Sequence, residues 1–178
     1  MRRFVILLLA VTFLLSQGAR AQFVRKSTDV LCLVPTATAA VLTLVKKDEK
    51  GLKQLALSTL SSVALSYTLE ASICKARPDG DGMHAMPSTH TMIAFSGASF
   101  LQRRYGWKWG APAYALSTYV AWGRVHSDRH DVWDVLVGTA IGVGCTYIFT
   151  RPFMKGKEVA ISPAVIDDAK CINVAINF

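Results

Sequence analysis

Residues 123–134, Gly-Arg-Val-His-Ser-Asp-Arg-His-Asp-Val-Trp-Asp, run without a break into Val-Leu-Val-Gly-Thr-Ala-Ile-Gly-Val-Gly-Cys-Thr-Tyr-Ile-Phe, residues 135–149. The two halves ask for opposite surroundings. The second is apolar, free of proline and too long for an ordinary strand, so the pattern predicts one helix over 132–149. The first crowds charges and two histidines against the start of that helix, an arrangement that is costly beside lipid unless those groups have work to do. His130 and Asp134 are four apart, which puts them on one helix face and predicts that the carboxylate holds the second imidazole nitrogen.

Working outward, four more apolar stretches precede this one: Val30–Val45, Leu55–Leu69, Ser88–Leu101 and Ala111–Trp122. Each reads as a helix. The separators alternate in character. Lys46-Lys47-Asp48-Glu49-Lys50, then Arg103, Arg104 and Lys108, then Arg151, Lys155 and Lys157 make basic loops, while the others hold Pro, Gly, Asp and all four histidines. The expectation is an all-α, helical-bundle integral membrane protein of about five transmembrane helices, with the basic loops inside and the histidine loops on the outer face. Trp107, Trp109, Trp122 and Trp133 flank the stretches as an interfacial belt would. Several stretches are short for a bilayer, so a soluble bundle of very apolar helices is the competing architecture.

At the front, Met1-Arg2-Arg3 and FVILLLAVTFLL, followed by Ala19-Arg20-Ala21, predict a signal peptide over 1–21. The expected organisation is then a helical membrane domain over 22–157 and a tail over 158–178, richer in β-branched residues, to which no role is assigned. The chain has 178 residues, 52% hydrophobic and 18% charged, which excludes intrinsic disorder and leaves room for one domain. Setting aside Arg2, Arg3 and Arg20 reduces twenty Lys and Arg to seventeen against twelve Asp and Glu. That excess contains no basic stripe interleaved with aromatics, so nucleic acid is not an expected partner. Cys32, Cys74, Cys145 and Cys171 are widely spaced, which excludes a disulfide-dense scaffold.

Chemistry concentrates in three segments: Lys75-Ala-Arg77-Pro78, Pro87-Ser88-Thr89-His90, and the quoted run from Arg124 to Asp134. Pro87-Ser88-Thr89 opens an apolar helix, whose unsatisfied N–H groups and positive dipole end suit an anion. Two arginines, a helix N-terminus and two histidines together describe a site for an anionic ligand, with the charge and proton donors that phosphoryl transfer needs. Three bland readings stand beside this one. Pro78 and Pro87 serve as helix breakers, Arg77 and Arg129 as solvated loop charges, and His84 and His126 as structural groups near the site.

R-P, then P-S-T-H, then G-R-x5-H-x3-D resembles the three-part signature of the type 2 phosphatidic acid phosphatase (PAP2) superfamily. The resemblance implies a phosphohistidine mechanism: His130 as nucleophile, Asp134 as the carboxylate that orients it, and His90 as the acid that protonates the leaving alkoxide. It implies Arg77, Arg124 and the Ser88-Thr89 backbone as the phosphate cradle, with no metal and no cofactor. The implied partners are a membrane and a lipid-linked phosphate monoester or pyrophosphate, met at a bacterial cell membrane on its periplasmic or exterior side. Candidates are lipid A phosphate, undecaprenyl pyrophosphate, phosphatidylglycerol phosphate and phosphatidate. Three positions depart from the pattern: Glu70 replaces an expected lysine, Thr89 an expected glycine and Gly123 an expected serine. Glu70 matters most because a carboxylate repels phosphate, and Lys75 is the candidate substitute. The functional alternatives are a soluble periplasmic acid phosphatase of the same superfamily, a metallohydrolase built on His126-x-x-x-His130 with Asp131 or Asp134, and a non-catalytic lipid-binding bundle. Ser88 as a serine nucleophile lacks the G-x-S-x-G elbow.

Overall fold

Gly138 and Gly142 set how closely the two central helices approach. A Cβ at Gly138 would lie 2.5 Å from the Ser88 carbonyl oxygen, and one at Gly142 would lie 2.4 Å from that of Met92. Only glycine permits this contact between the helix beginning at Thr89 and the helix beginning at Val132. The computed structural model describes residues 22–80, 82–153, 159–166 and 169–176, with the backbone alone for the last two segments. The expected signal peptide and its cleavage after Ala21 lie outside the described residues.

Six helical segments are described. Helix α1 covers 22–31 and passes through a turn at Cys32-Leu33 into α2, Val34–Val45. Asp48 caps α3, Glu49–Ser72, by accepting from the Gly51 N–H at 2.9 Å. Helix α4, Thr89–Tyr105, is joined to α5, Trp107–His126, by Gly106 alone, whose φ of 89° lies in the left-handed region that glycine occupies without strain. Helix α6, Val132–Phe149, has the bounds that its apolar pattern predicts. Its start is a capping box: the Asp131 side chain accepts from the Asp134 N–H, and the Asp134 side chain from the Asp131 N–H.

Helix α4 packs against α2, α3, α5 and α6. The interior around it is small and hydroxylated. Ser58, Ser62, Ser66, Ser96, Ser99, Ser117 and Thr146 are buried; Ser117 donates to the Ala94 carbonyl at 2.9 Å, and Ser96 and Thr146 bond across α4 and α6 at 3.2 Å. Large apolar side chains, among them Leu44, Leu60, Trp107, Trp133 and Ile148, point outward. Small residues inside and apolar residues outside are what helix packing in lipid selects. Among the described residues, two helical stretches are long and apolar enough to cross a membrane, α1 together with α2, Gln22–Val45, and α6, Val132–Phe149. The five expected apolar stretches all become helices, but α3, α4 and α5 turn Ser and Gly inward and are less apolar than the expected spans.

The all-α expectation holds for the bundle and is corrected in the tail. Strands β1, Val159–Ile166, and β2, Ala169–Ile176, pair antiparallel, with Ile161 opposite Val174. Their alternating β-branched residues suit a paired strand.

Candidate active site

The capping box that starts α6 also anchors the junction beside a cavity. The Ser88 N–H donates to the Asp134 carbonyl at 3.0 Å, which ties the start of α4 to the first turn of α6. Beside that junction lies a cavity of about 440 Å³ lined by residues from all three predicted segments: Arg77, Thr89, His90, Arg124 and His130.

His130 is buried, in the short loop ahead of α6. Its Nδ1 is 2.8 Å from the Ala85 carbonyl and 3.6 Å from Asp134 Oδ2. A carbonyl only accepts, so Nδ1 carries the proton and Nε2 keeps its lone pair. The expectation that Asp134 holds this nitrogen is therefore corrected: a backbone carbonyl does so, with the carboxylate just behind. The reason is that the capping box and Lys75 already claim Asp134. Burial, then Arg124 and Arg77, push the His130 imidazole down to about 4, outweighing the opposing pull of Ala85 and Asp134. It is neutral at ordinary pH.

Lys75 sits behind the cavity wall. Its ammonium donates to Asp131 Oδ2 at 2.5 Å and Asp134 Oδ1 at 2.6 Å. Burial alone would lower its proton affinity, but these carboxylates raise it above the ordinary lysine value. The expectation that Lys75 reaches phosphate in place of the missing lysine is not what the geometry gives, because two acceptors hold the ammonium elsewhere. Glu70 does line the cavity, and its backbone carbonyl accepts from His84 Nδ1 at 2.8 Å.

The Nε–H groups of Arg77 and Arg124 are buried with no acceptor, although the Arg124 side chain is only 4% exposed. Buried guanidinium donors without partners describe a place for an anion. Thr89 opens the first turn of α4 onto the same space, whereas the buried Ser88 hydroxyl turns away to Thr91 at 3.1 Å. The Arg124 carbonyl accepts from the Arg129 and His130 N–H groups, each at 3.2 Å, so the end of α5 also positions the loop that carries His130. Arg129 is not a solvated charge: it is buried, lines the cavity and pairs with Asp79 at 2.7 Å. His126 stacks on Trp122 with ring centroids 4.7 Å apart. It ends α5 while His130 lies in the next loop, so the helical ligand pair of the metallohydrolase reading does not form.

Three cavity residues escaped the sequence reading: Tyr67 on α3, and Arg25 and Asp29, both on α1. Asp29 Oδ1 lies 2.5 Å from Arg124 Nη1 and 3.3 Å from His90 Nε2. For Arg25 and Asp29 the i, i+4 spacing was the available signal, hidden because the apolar pattern begins only at Val30.

An apolar-coated helical bundle around a cavity lined by four arginines and three histidines describes a membrane protein equipped for phosphoryl chemistry. The PAP2 superfamily pattern matches residues 51–157, and the chain belongs to that superfamily; it is a phosphoric monoester hydrolase of the PAP2 type. It is 33% identical over 153 residues to the lipid A 4'-phosphatase of Helicobacter pylori strain J99, covering 80% of this chain and 76% of that protein. In fold it resembles crystalline Aquifex aeolicus LpxE, with a TM-score of 0.63 at 20% identity over 73% of this chain and 84% of that one. It also resembles a transmembrane PAP2 type phosphatidylglycerolphosphate phosphatase from Bacillus subtilis, with a TM-score of 0.56 at 20% identity over 82% and 90% of the two chains.

Proposed function

We propose that this protein removes phosphate from a lipid-linked phosphate monoester through a phosphohistidine on His130. The observation that carries the reading is the His130 tautomer: Nδ1 is committed to the Ala85 carbonyl, leaving the Nε2 lone pair of a neutral imidazole on a cavity whose arginines hold unused donors. Nε2 attacks phosphorus while the ester P–O bond breaks and His90 passes its proton to the departing oxygen. Arg77, Arg124 and the first turn of α4 bear the charge spread over the equatorial oxygens. The imidazolium formed keeps its Nδ1 proton on Ala85, and the Asp134 carboxylate behind it offsets the new positive charge. Water, giving its proton to His90, then attacks phosphorus, the N–P bond breaks and inorganic phosphate leaves. Lys75 is a positioning residue that fixes Asp131 and Asp134.

The substrate class rests on the membrane setting and on the relative that acts on lipid A; the 1- and 4'-phosphates of lipid A are the first compounds to test, followed by undecaprenyl pyrophosphate, phosphatidylglycerol phosphate and phosphatidate. The site faces the periplasm or exterior in this reading, because Lys46 and Lys47 just after α2 and Arg103 in the last turn of α4 belong to the end of the bundle assigned to the inside. Residues 22–157 form the catalytic membrane domain after removal of 1–21.

Phosphate release by the purified protein in detergent across that lipid panel, with acid-quench trapping of the phosphoenzyme, tests the proposal. Activity is expected to survive thorough chelation, and His130→Ala is expected to abolish both turnover and the trapped intermediate. A phosphoenzyme that persists in His130→Ala would overturn the assignment. His90→Ala should slow an alkyl phosphate far more than an aryl phosphate, whose leaving group departs without a proton.

A further inference from the structure

Asp29 places a negative charge in a site meant for a negative substrate, and the mechanism above gives it no task. A single oxygen, Oδ1, lies between Arg124 Nη1 at 2.5 Å and His90 Nε2 at 3.3 Å. Those are the groups to which a phosphate ester would present a phosphoryl oxygen and its leaving oxygen. A carboxylate oxygen matches a phosphate oxygen in charge and in accepting capacity, so Asp29 fills the position that the substrate needs. It cannot remain there when the substrate binds, because two anions would then meet at one guanidinium edge. The Asp29 side chain is nearly half exposed and has room to leave, while the Arg124 side chain beneath it is 4% exposed and does not. Arg25, four residues earlier on α1 and also at the cavity, offers the displaced carboxylate a cationic neighbour.

We propose that Asp29 is a built-in competitor of the substrate: it occupies Arg124 and His90 in the empty site, exchanges with the incoming phosphate, and thereby sets the affinity of the site for phosphate. A cavity carrying Arg25, Arg77, Arg124 and Arg129 with no such counter-ion would retain the inorganic phosphate it produces. The returning carboxylate restores the bond to Arg124 and favours release. Asp29 is thus a positioning and affinity-setting residue in this account, which rests on the phosphatase reading of the same site.

The test uses the full chain in detergent, with orthovanadate and inorganic phosphate as probes of the site. Asp29→Asn should lower the inhibition constants of both by at least tenfold, with the phosphoenzyme still formed. Glu70→Gln is the reference, since it also removes a negative charge from the cavity wall but touches neither Arg124 nor His90; it should change them by no more than threefold. Equal tightening by both variants would reduce the effect to the general field and overturn the proposal. Unchanged or weaker binding in Asp29→Asn, with slower turnover, would also overturn it and make Asp29 part of the proton-donating apparatus. Asp29→Ser, checked for folding by thermal melting alongside Asp29→Asn, must agree with it. If neither probe bound the wild type, the phosphate-site reading would fall and the competitor with it, whereas binding to the wild type without tightening in Asp29→Asn would remove the competitor alone.

Discussion

Two arginine–carboxylate pairs stand in different parts of the bundle and behave as opposites. Arg104 and Asp48 bury side chains 6% and 3% exposed; Nε and Nη2 reach the two carboxylate oxygens at 2.7 and 2.5 Å. Asp48 also accepts from Tyr105 and from the Gly51 N–H, and Arg104 Nη1 donates to the Arg151 and Pro152 carbonyls. This pair joins the α2–α3 connection, the end of α4 and the segment after α6. Arg124 touches Asp29 through a single short contact, its Nε lacks an acceptor, and the carboxylate is 45% exposed. One pair is closed and fully bonded, which suits a structural clasp. The other is left incomplete on its cavity side, which suits a site that must trade one anion for another.

The comparison breaks most decisively at the clasp. Arg104→Ala leaves Asp48 buried without its partner and should cost about 3–5 kcal/mol, seen as a large loss of thermal stability in detergent. Arg124→Ala should instead lower turnover by about 10²–10³-fold, as expected for removing a preorganised charge donor, with melting close to the wild type. If Arg124→Ala unfolds the protein and Arg104→Ala leaves it stable, the division between clasp and site is wrong. Gly138→Ala pushes a methyl group toward the Ser88 carbonyl and should cost about 1–3 kcal/mol by overpacking while also loosening the cavity end of α4. Melting together with the inhibition constant of vanadate would register both effects.

The smallest effect separates the site from the clasp by pH. The folded chain keeps His130 neutral down to about 4, whereas an unfolded chain protonates its histidines near 6.5. As pH falls from about 6.5 to about 4, protons therefore bind the unfolded chain preferentially and stability declines. Burial would raise the Asp48 carboxyl, but Arg104, the Gly51 N–H and Tyr105 together hold it below its ordinary value. Its contribution is full above the unfolded value of about 3.9 and is lost only as pH falls through the lower folded one, so the clasp is silent in that window. Thermal melting between pH 7 and pH 4.5 should show a decline that becomes shallower in His130→Gln. A slope indifferent to His130 would contradict the buried neutral imidazole.

Much of the molecule was legible in its residues. The bounds of α6 followed from an unbroken apolar run ended by Asp131 on one side and Thr150-Arg151-Pro152 on the other, since capping and helix-breaking are local. The gathering of Arg77, His90, Arg124 and His130 was expected from the alternation of basic and histidine-bearing loops, which puts the latter on one face, and from the resemblance to the PAP2 superfamily. Helix α1 was not legible, because residues 22–29 are polar enough to look like a solvated leader until α5 is placed against them. Nor was the partner of Arg104, because Asp48 lies 56 residues away and nothing local distinguishes it from Asp128 or Asp131.

By itself the amino-acid sequence determined the helical bundle and its apolar coat, since periodicity and capping act over a few residues, and its three motifs carried the family resemblance that pointed to Arg77, His90, Arg124 and His130. Tertiary structure alone decided how those groups are partnered: Ala85 rather than Asp134 on His130, Asp131 and Asp134 rather than the cavity for Lys75, and Asp29 on Arg124. Partnership is a contest among all donors and acceptors brought within about 3 Å, and only the packed chain establishes which of them arrive.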